Sequence, residues 1–224
     1  MQSNSSRLMK IFSVKKIPTM SWSSSYPLNF NPRISTVTAL CFGLIIFGVG
    51  EATLIAAGLG VSPWTVLAQG FSVTSGLSIG WSTFIISLVV LTFWLPLKQM
   101  PGIGTILNAL IIPIVIELLL PWLPRPDSDL LKIIQVVFGI ILVGIGSGCY
   151  LISNLGPGPR DGLMTGLQLL TGRPIALVRT LLEISAVAIG WLLGGTVGIG
   201  TLMFALGVGS AVSLSLYSIK LFFK

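Results

Sequence analysis

Histidine is absent from the 224 residues, and cysteine occurs only twice. A clustered His/Cys zinc site therefore cannot be assembled, and a histidine-based catalytic triad is excluded for the same reason. Cys41 and Cys149 both fall in long apolar runs, where thiols behave as small apolar groups, so no disulfide is expected. Charge is scarce as well. Only 8% of the residues are charged, against roughly 25% in a soluble domain, and no water-facing surface can be made from so few.

What the chain has instead is apolar length. Hydrophobic residues make up 53% of it and the mean hydropathy is +0.97. Crossing about 30 Å of hydrocarbon takes about 20 mostly apolar residues. Six runs qualify, at 36–59, 79–97, 102–123, 131–154, 175–194 and 198–219. The fold class expected is therefore an all-α membrane protein with six transmembrane helices.

The net charge of +7 is distributed as the positive-inside rule requires, and so reports orientation and not nucleic-acid binding. With the N-terminus in the cytoplasm, the inner face collects Arg7, Lys10, Lys15, Lys16, Arg33, Lys98, Arg160, Arg173, Lys220 and Lys224. The outer face then holds only Arg125 and Lys132. Both termini are thus predicted to be cytoplasmic. Residues 1–34, basic, serine-rich and without apolar periodicity, read as a disordered cytoplasmic tail with no signal-peptide core.

An internal repeat runs without a gap from about residue 42 to residue 110 at an offset of 96. Phe42, Gly43, Gly48 and Gly50 match Phe138, Gly139, Gly144 and Gly146; Leu59, Gly60 and Pro63 match Leu155, Gly156 and Pro159. The quartet "GIGT" at 102–105 recurs whole at 198–201. Residues 35–124 and 125–224 accordingly form two membrane repeats. Each holds a span, a short interrupted segment and two further spans. From Pro63 to Thr74 a helix would be about 18 Å long, too short to cross, so three true spans remain per copy. An odd number turns the second copy upside down, and the expected architecture is a 3+3 inverted repeat.

Both short segments follow a Gly/Pro break, "GLGVSP" at 58–63 and "LGPGP" at 155–159, and proline suits the first helical position. A helix N-terminus directed into the protein offers free amides to an anion. Thr65, Gln69, Ser72 and Ser75 share one helical face, and their repeat partners are Asp161, Thr165, Gln168 and Thr171. This polar stripe fits either a helix floating at the interface or the lining of a polar pathway. Beyond the end residues of the runs, the charges are Glu51, Glu117, Arg179 and Glu183. Intramembrane charge is expensive and by default functional. Arg179 and Glu183, spaced i, i+4, can pair along their helix, and Glu117 sits toward the outer end of its run. Glu51 has no charged neighbour on its own helix and is the candidate coupling group. The glycines read as close-packing positions between spans.

At "GLGVSPWTVLAQG", "PGIGT" and "GPGPRDGLMTGLQLLTGRP…VRTLLE…GWLLGGTVGIGT" the chain resembles the YitT/YyaS/YczE group of bacterial membrane proteins. The resemblance implies a multi-pass protein of the bacterial inner membrane. In that group the first motif usually reads Pro-Trp-Asp, and here Thr65 stands in place of the aspartate, which counts against a mechanism with two symmetric carboxylates.

The duplication, paired breaks and paired stripes point to a secondary transporter or channel-like permease for a small polar or anionic solute or ion. Thr65, Gln69, Ser72, Arg160, Asp161, Thr165 and Gln168 would line the path. Glu51, Arg179 and Glu183 would couple or gate. The alternative is a membrane-embedded accessory protein that binds a partner and moves nothing. An enzyme is not expected, because only Asp/Glu chemistry is left to it and the carboxylates form no motif. No cofactor or metal is implied. The partners expected are the lipid bilayer and the solute, and a homo-oligomer is left open.

Overall fold

A computed structural model of the chain describes residues 17–222. These residues form eight α-helices and one short 3-10 turn, with no strand among them. In chain order the helices are α1 (Ile34–Ala57), α2 (Pro63–Ser75), α3 (Ile79–Thr92), α4 (Ile103–Leu119), α5 (Asp129–Ser153), α6 (Pro159–Thr171), α7 (Ile175–Leu192) and α8 (Ile199–Phe222). The 3-10 turn, Leu120–Trp122, extends α4.

The repeat is legible in how the helices start and stop. α1 ends at Gly58 (φ 70°) and α5 at Asn154 (φ 52°), left-handed positions that glycine adopts freely and asparagine tolerates. Gly60 and Gly156 then turn the chain at φ 103° and 109°. Both α2 and α6 begin on a proline, run 13 residues and stop at a left-handed glycine, Gly76 or Gly172.

Five helical stretches are long and apolar enough to span a membrane: Ile34–Ala57, Ile103–Trp122, Asp129–Ser153, Ile175–Leu192 and Ile199–Phe222. A sixth span arises only if α2 and α3 are counted together, and they meet at a bend of 112°. The run at 79–97 thus differs from expectation. Its helix stops at Thr92 after 14 residues, about 21 Å, and the chain continues through tight turns past Pro96 to Lys98. The outer surface of the bundle is apolar, with Phe42, Leu118, Leu192 and Leu206 all at least 60% exposed, as lipid contact requires and water does not allow.

α1 and α5 form the central pair. A methyl added to Gly43 would meet the Gly146 carbonyl at 2.9 Å, and one added to Gly50 would meet the Gly139 carbonyl at 2.8 Å. Contacting positions rise along α1 as they fall along α5, so the two helices are antiparallel. α4 packs on α1 through Val115 at Gly48, and α8 packs on α5 through Ala211 at Gly144, the same contact in both copies. The copies also interlock. Gly104 N–H donates to the Leu155 carbonyl at 2.7 Å, and Gly200 N–H donates to the Leu59 carbonyl at 2.8 Å.

The copies differ in one pairing. α3 packs along α4, whereas α7, its counterpart, has no comparable contact with α8. The tail also departs from the disordered segment expected over 1–34. Residues 1–16 lie outside the described residues, while residues 17–33 form an irregular strap across the end of α5. There Ser24 N–H donates to the Ser153 carbonyl at 3.0 Å and Asn154 Nδ2 donates to the Ser24 carbonyl at 2.9 Å. Serine-rich composition hid this, because the strap is held through its backbone and needs no apolar periodicity.

The seam between α1 and α5 has no room for a side chain at Gly146, where a methyl would lie 2.5 Å from the Gly43 carbonyl oxygen and the Phe47 nitrogen. Gly146→Leu should lower stability by about 3 kcal/mol, seen as a fall in the melting temperature of the detergent-solubilised protein. Gly209→Ala, where nothing lies within 4 Å, should leave it unchanged.

Candidate functional site

The N-terminal ends of the two short helices meet at a cavity of about 300 Å³. Ser62, Pro63 and Trp64 reach it from the start of α2, and Gly158, Arg160 and Asp161 from the start of α6. Ser147 and Tyr150 of α5 form its floor, and Arg179 and Glu183 of α7 face α8 residues Phe204, Val208 and Gly209 across it. The gap between α7 and α8 noted above is therefore a wall of this cavity.

The two short helices are seated differently. The backbone of α2 at Val66 and Leu67 lies directly on Gly190 of α7, while Gly162, the repeat partner of Val66, lies under the ring of Trp94, the repeat partner of Gly190. Trp94 is 2% exposed and its Nε1 donates to the Pro159 carbonyl at 3.0 Å, fixing the first turn of α6. Arg160 then stands with its guanidinium carbon 5.9 Å from the centre of the Trp64 ring, a cation–π contact that links the two helix starts.

The charges on the wall are unevenly matched. Arg179 Nε donates to Glu183 Oε1 at 2.8 Å, and the Asp161 carboxylate accepts a hydrogen bond from the hydroxyl of buried Tyr150. Arg160 forms no salt bridge among the described residues. With the free amides at the start of α6 beside it, Arg160 makes this end of the cavity suited to a negative or strongly polar group. Asn108 of α4 adds an amide against Gly158.

Behind the cavity lies a second polar cluster. Glu51 is 0% exposed, and its Oε2 accepts hydrogen bonds from Ser62 Oγ at 2.9 Å and Thr65 Oγ1 at 2.8 Å. The two hydroxyls are themselves 2.9 Å apart. Glu51 Oε1 has no partner among the described residues. In the second copy the corresponding positions are Ser147 and Asp161. Acid and hydroxyl have changed places between the long helix and the short one.

Of the path residues read from the sequence, Arg160 and Asp161 line the cavity and Thr65 lies just behind Ser62. The others are drawn elsewhere. Gln69 Oε1 accepts from Thr196 N–H at 3.1 Å, Ser72 donates to the Leu77 carbonyl at 2.6 Å and Thr165 donates to the Asp161 carbonyl within its own helix at 2.9 Å. Gln168 is half-buried and outside the cavity wall. Arg179 and Glu183 do line it, and Glu51 touches it only through Ser62. Glu117 is exposed and lies against Gly80. Ser62, Asn108, Ser147 and Tyr150 were not anticipated, although Ser147 stands 96 residues after Glu51 and the repeat pointed to it.

A family of unknown function, DUF6198, matches residues 34–216. An uncharacterised protein of Haemophilus influenzae is 40% identical over 203 residues, covering 91% of this chain and 92% of its own. The uncharacterised membrane protein YczE of Bacillus subtilis is 34% identical over 176 residues, covering 78% and 82%. The uncharacterised protein YyaS of the same organism is 30% identical over 165 residues, covering 72% and 82%. No solved structure matches. The apolar helices, and the description of YczE as a membrane protein, agree that this is a membrane protein.

Tyr150→Phe would remove the one side-chain donor to Asp161 while keeping the ring in place. The substitution should cost roughly 1–3 kcal/mol, read as a lower melting temperature, and the loss should shrink when it is combined with Asp161→Asn.

Proposed function

The chain belongs to the DUF6198 family, and we propose that it is a secondary transporter or channel-like permease, moving a small polar or anionic solute through the cavity between its short helices. The observation that carries this is the convergence of two helix starts on one cavity, whose Arg160 has no carboxylate partner among the described residues. Helix starts directed at a site between two repeats are how many transporters hold a substrate's negative end.

The antiparallel packing of α1 and α5, equivalent helices of the two copies, favours an inverted repeat. In the bacterial cytoplasmic membrane, with both termini inside, Leu59 and Gly200 then interlock at the outer face and Leu155 and Gly104 at the inner face. The loose α7/α8 pairing against the tight α3/α4 pairing would make this an arrangement open on one side only. Exchange of the two pairings would open the other side, with the Arg179–Glu183 pair acting as the gate and Glu51 as the coupling group.

A panel of small carboxylates, phosphates and neutral polyols at millimolar concentration tests this through thermal stability. At least one anion should raise the melting temperature of the wild type, by the linkage of binding to folding, and fail to do so for Arg160→Ala. Equal shifts in both proteins would remove Arg160 from the site, and no shift from any solute would favour an accessory protein that transports nothing.

A further inference from the structure

Glu51 is the deepest carboxyl among the described residues, fully buried, with two hydroxyls on one oxygen and no described residue bonded to the other. No ion pair among the described residues involves it. α2 carries no ionisable side chain. On α5 these are Asp129, Lys132, Cys149 and Tyr150, and Tyr150 is bonded to Asp161. On α4 the only one is Glu117, which lies against Gly80 of α3. Arg160 of α6 faces the Trp64 ring, and Arg179 of α7 is held by Glu183. An ionised carboxylate in such surroundings would have two neutral hydroxyls as its only hydrogen bonds and the partial charge at the start of α2 as its only other compensation, and a buried charge so weakly compensated neutralises instead. Two species could neutralise it, a metal cation or a proton. A hard cation gathers six or so oxygens, backbone carbonyls and waters among them, and only three side chains offer any here, whereas a proton needs one.

We propose that Glu51, Ser62 and Thr65 form a proton-binding site that opens to the cavity through the Ser62 hydroxyl, and that this proton is the coupling ion of the transport cycle. Ser62 is the contact point because it alone of the three both bonds Glu51 and lines the cavity. Uptake is a relay. A hydronium in the cavity gives a proton to Ser62 Oγ as Ser62 passes its own hydroxyl proton to Glu51 Oε2, so one proton moves, water remains and the carboxylate becomes a neutral acid. Release reverses each step. Thr65 holds the carboxyl in place by its own bond to Oε2. The exchange of acid and hydroxyl between the copies fits this division of labour: Asp161 faces the cavity where a solute would lie, while Glu51 is set back where only a proton reaches.

The coupling role rests on the transport reading, whereas the proton site stands or falls at equilibrium. Infrared spectra of the protein in lipid at neutral pH should contain a protonated-carboxyl carbonyl band. Glu51→Gln should abolish it, and Ser62→Ala and Thr65→Val, should the glutamine variant not fold, should each shift it to higher frequency by removing a hydrogen bond. Exchange into deuterium oxide should move the band to lower frequency, and sodium chloride should affect it no more than choline chloride does. A spectrum without such a band, or a band unaltered in all three variants, would overturn the site, as would a band lost on adding sodium alone, which would make it a sodium site. A band that behaves as described in a protein that binds no solute would leave the site intact and remove only the transport reading.

Discussion

Backbone that leaves its helix where it is buried must find hydrogen-bond partners within the protein, because neither water nor lipid supplies them there. The two breaks at Gly58–Ser62 and Asn154–Gly158 meet this constraint by reaching across to the other copy. Leu155 O is bonded by Gly104 N–H and Leu59 O by Gly200 N–H. Thr105 adds a bond to the Pro157 carbonyl at 2.6 Å. A Cβ at Gly102 or Gly198 would lie 2.4 Å from the carbonyl it covers, which is why "GIGT" recurs intact where most of the repeat has drifted. This double clasp fixes where α2 and α6 begin, and through them the cavity.

On that shared backbone the side chains have diverged in exchanged pairs. Val66 and Gly190 face Gly162 and Trp94, and Glu51 and Thr65 face Ser147 and Asp161. The contacts change with the exchange: Thr65 donates to Glu51, whereas Ser147 donates to the Val143 carbonyl and Asp161 accepts from Tyr150. Trp94 braces α6 with its acid at the cavity, whereas the first copy folds its acid behind Ser62. One chain thereby holds one acid lining the cavity, Asp161, and one buried behind it, Glu51, at positions that do not correspond in the repeat.

Much of this was legible in the sequence because membrane length and repeat offset are one-dimensional signals. The apolar runs, both 13-residue helices and their proline starts and glycine stops follow from them. The polar stripes were less reliable. Helical spacing establishes that Thr65, Gln69 and Ser72 share a face but not which neighbour each will meet, and in the fold they part company, to Glu51, to Thr196 and to Leu77. Tyr150 was invisible as a polar residue inside an apolar run, and Ser62 lay in the break and not in the helix that drew attention. The short α3 could have been suspected from Pro96 and Lys98, which end it.

The central claim is that the two copies are interlocked upside down. It is tested most directly by single cysteines at Ser75 and Thr171, equivalent and exposed residues at the ends of α2 and α6, in a Cys41→Ser, Cys149→Ser background. Membrane-impermeant thiol reagents applied to each side of oriented vesicles should label Ser75→Cys only from outside and Thr171→Cys only from inside. Labelling of both from the same side would mean parallel copies, and would contradict the account.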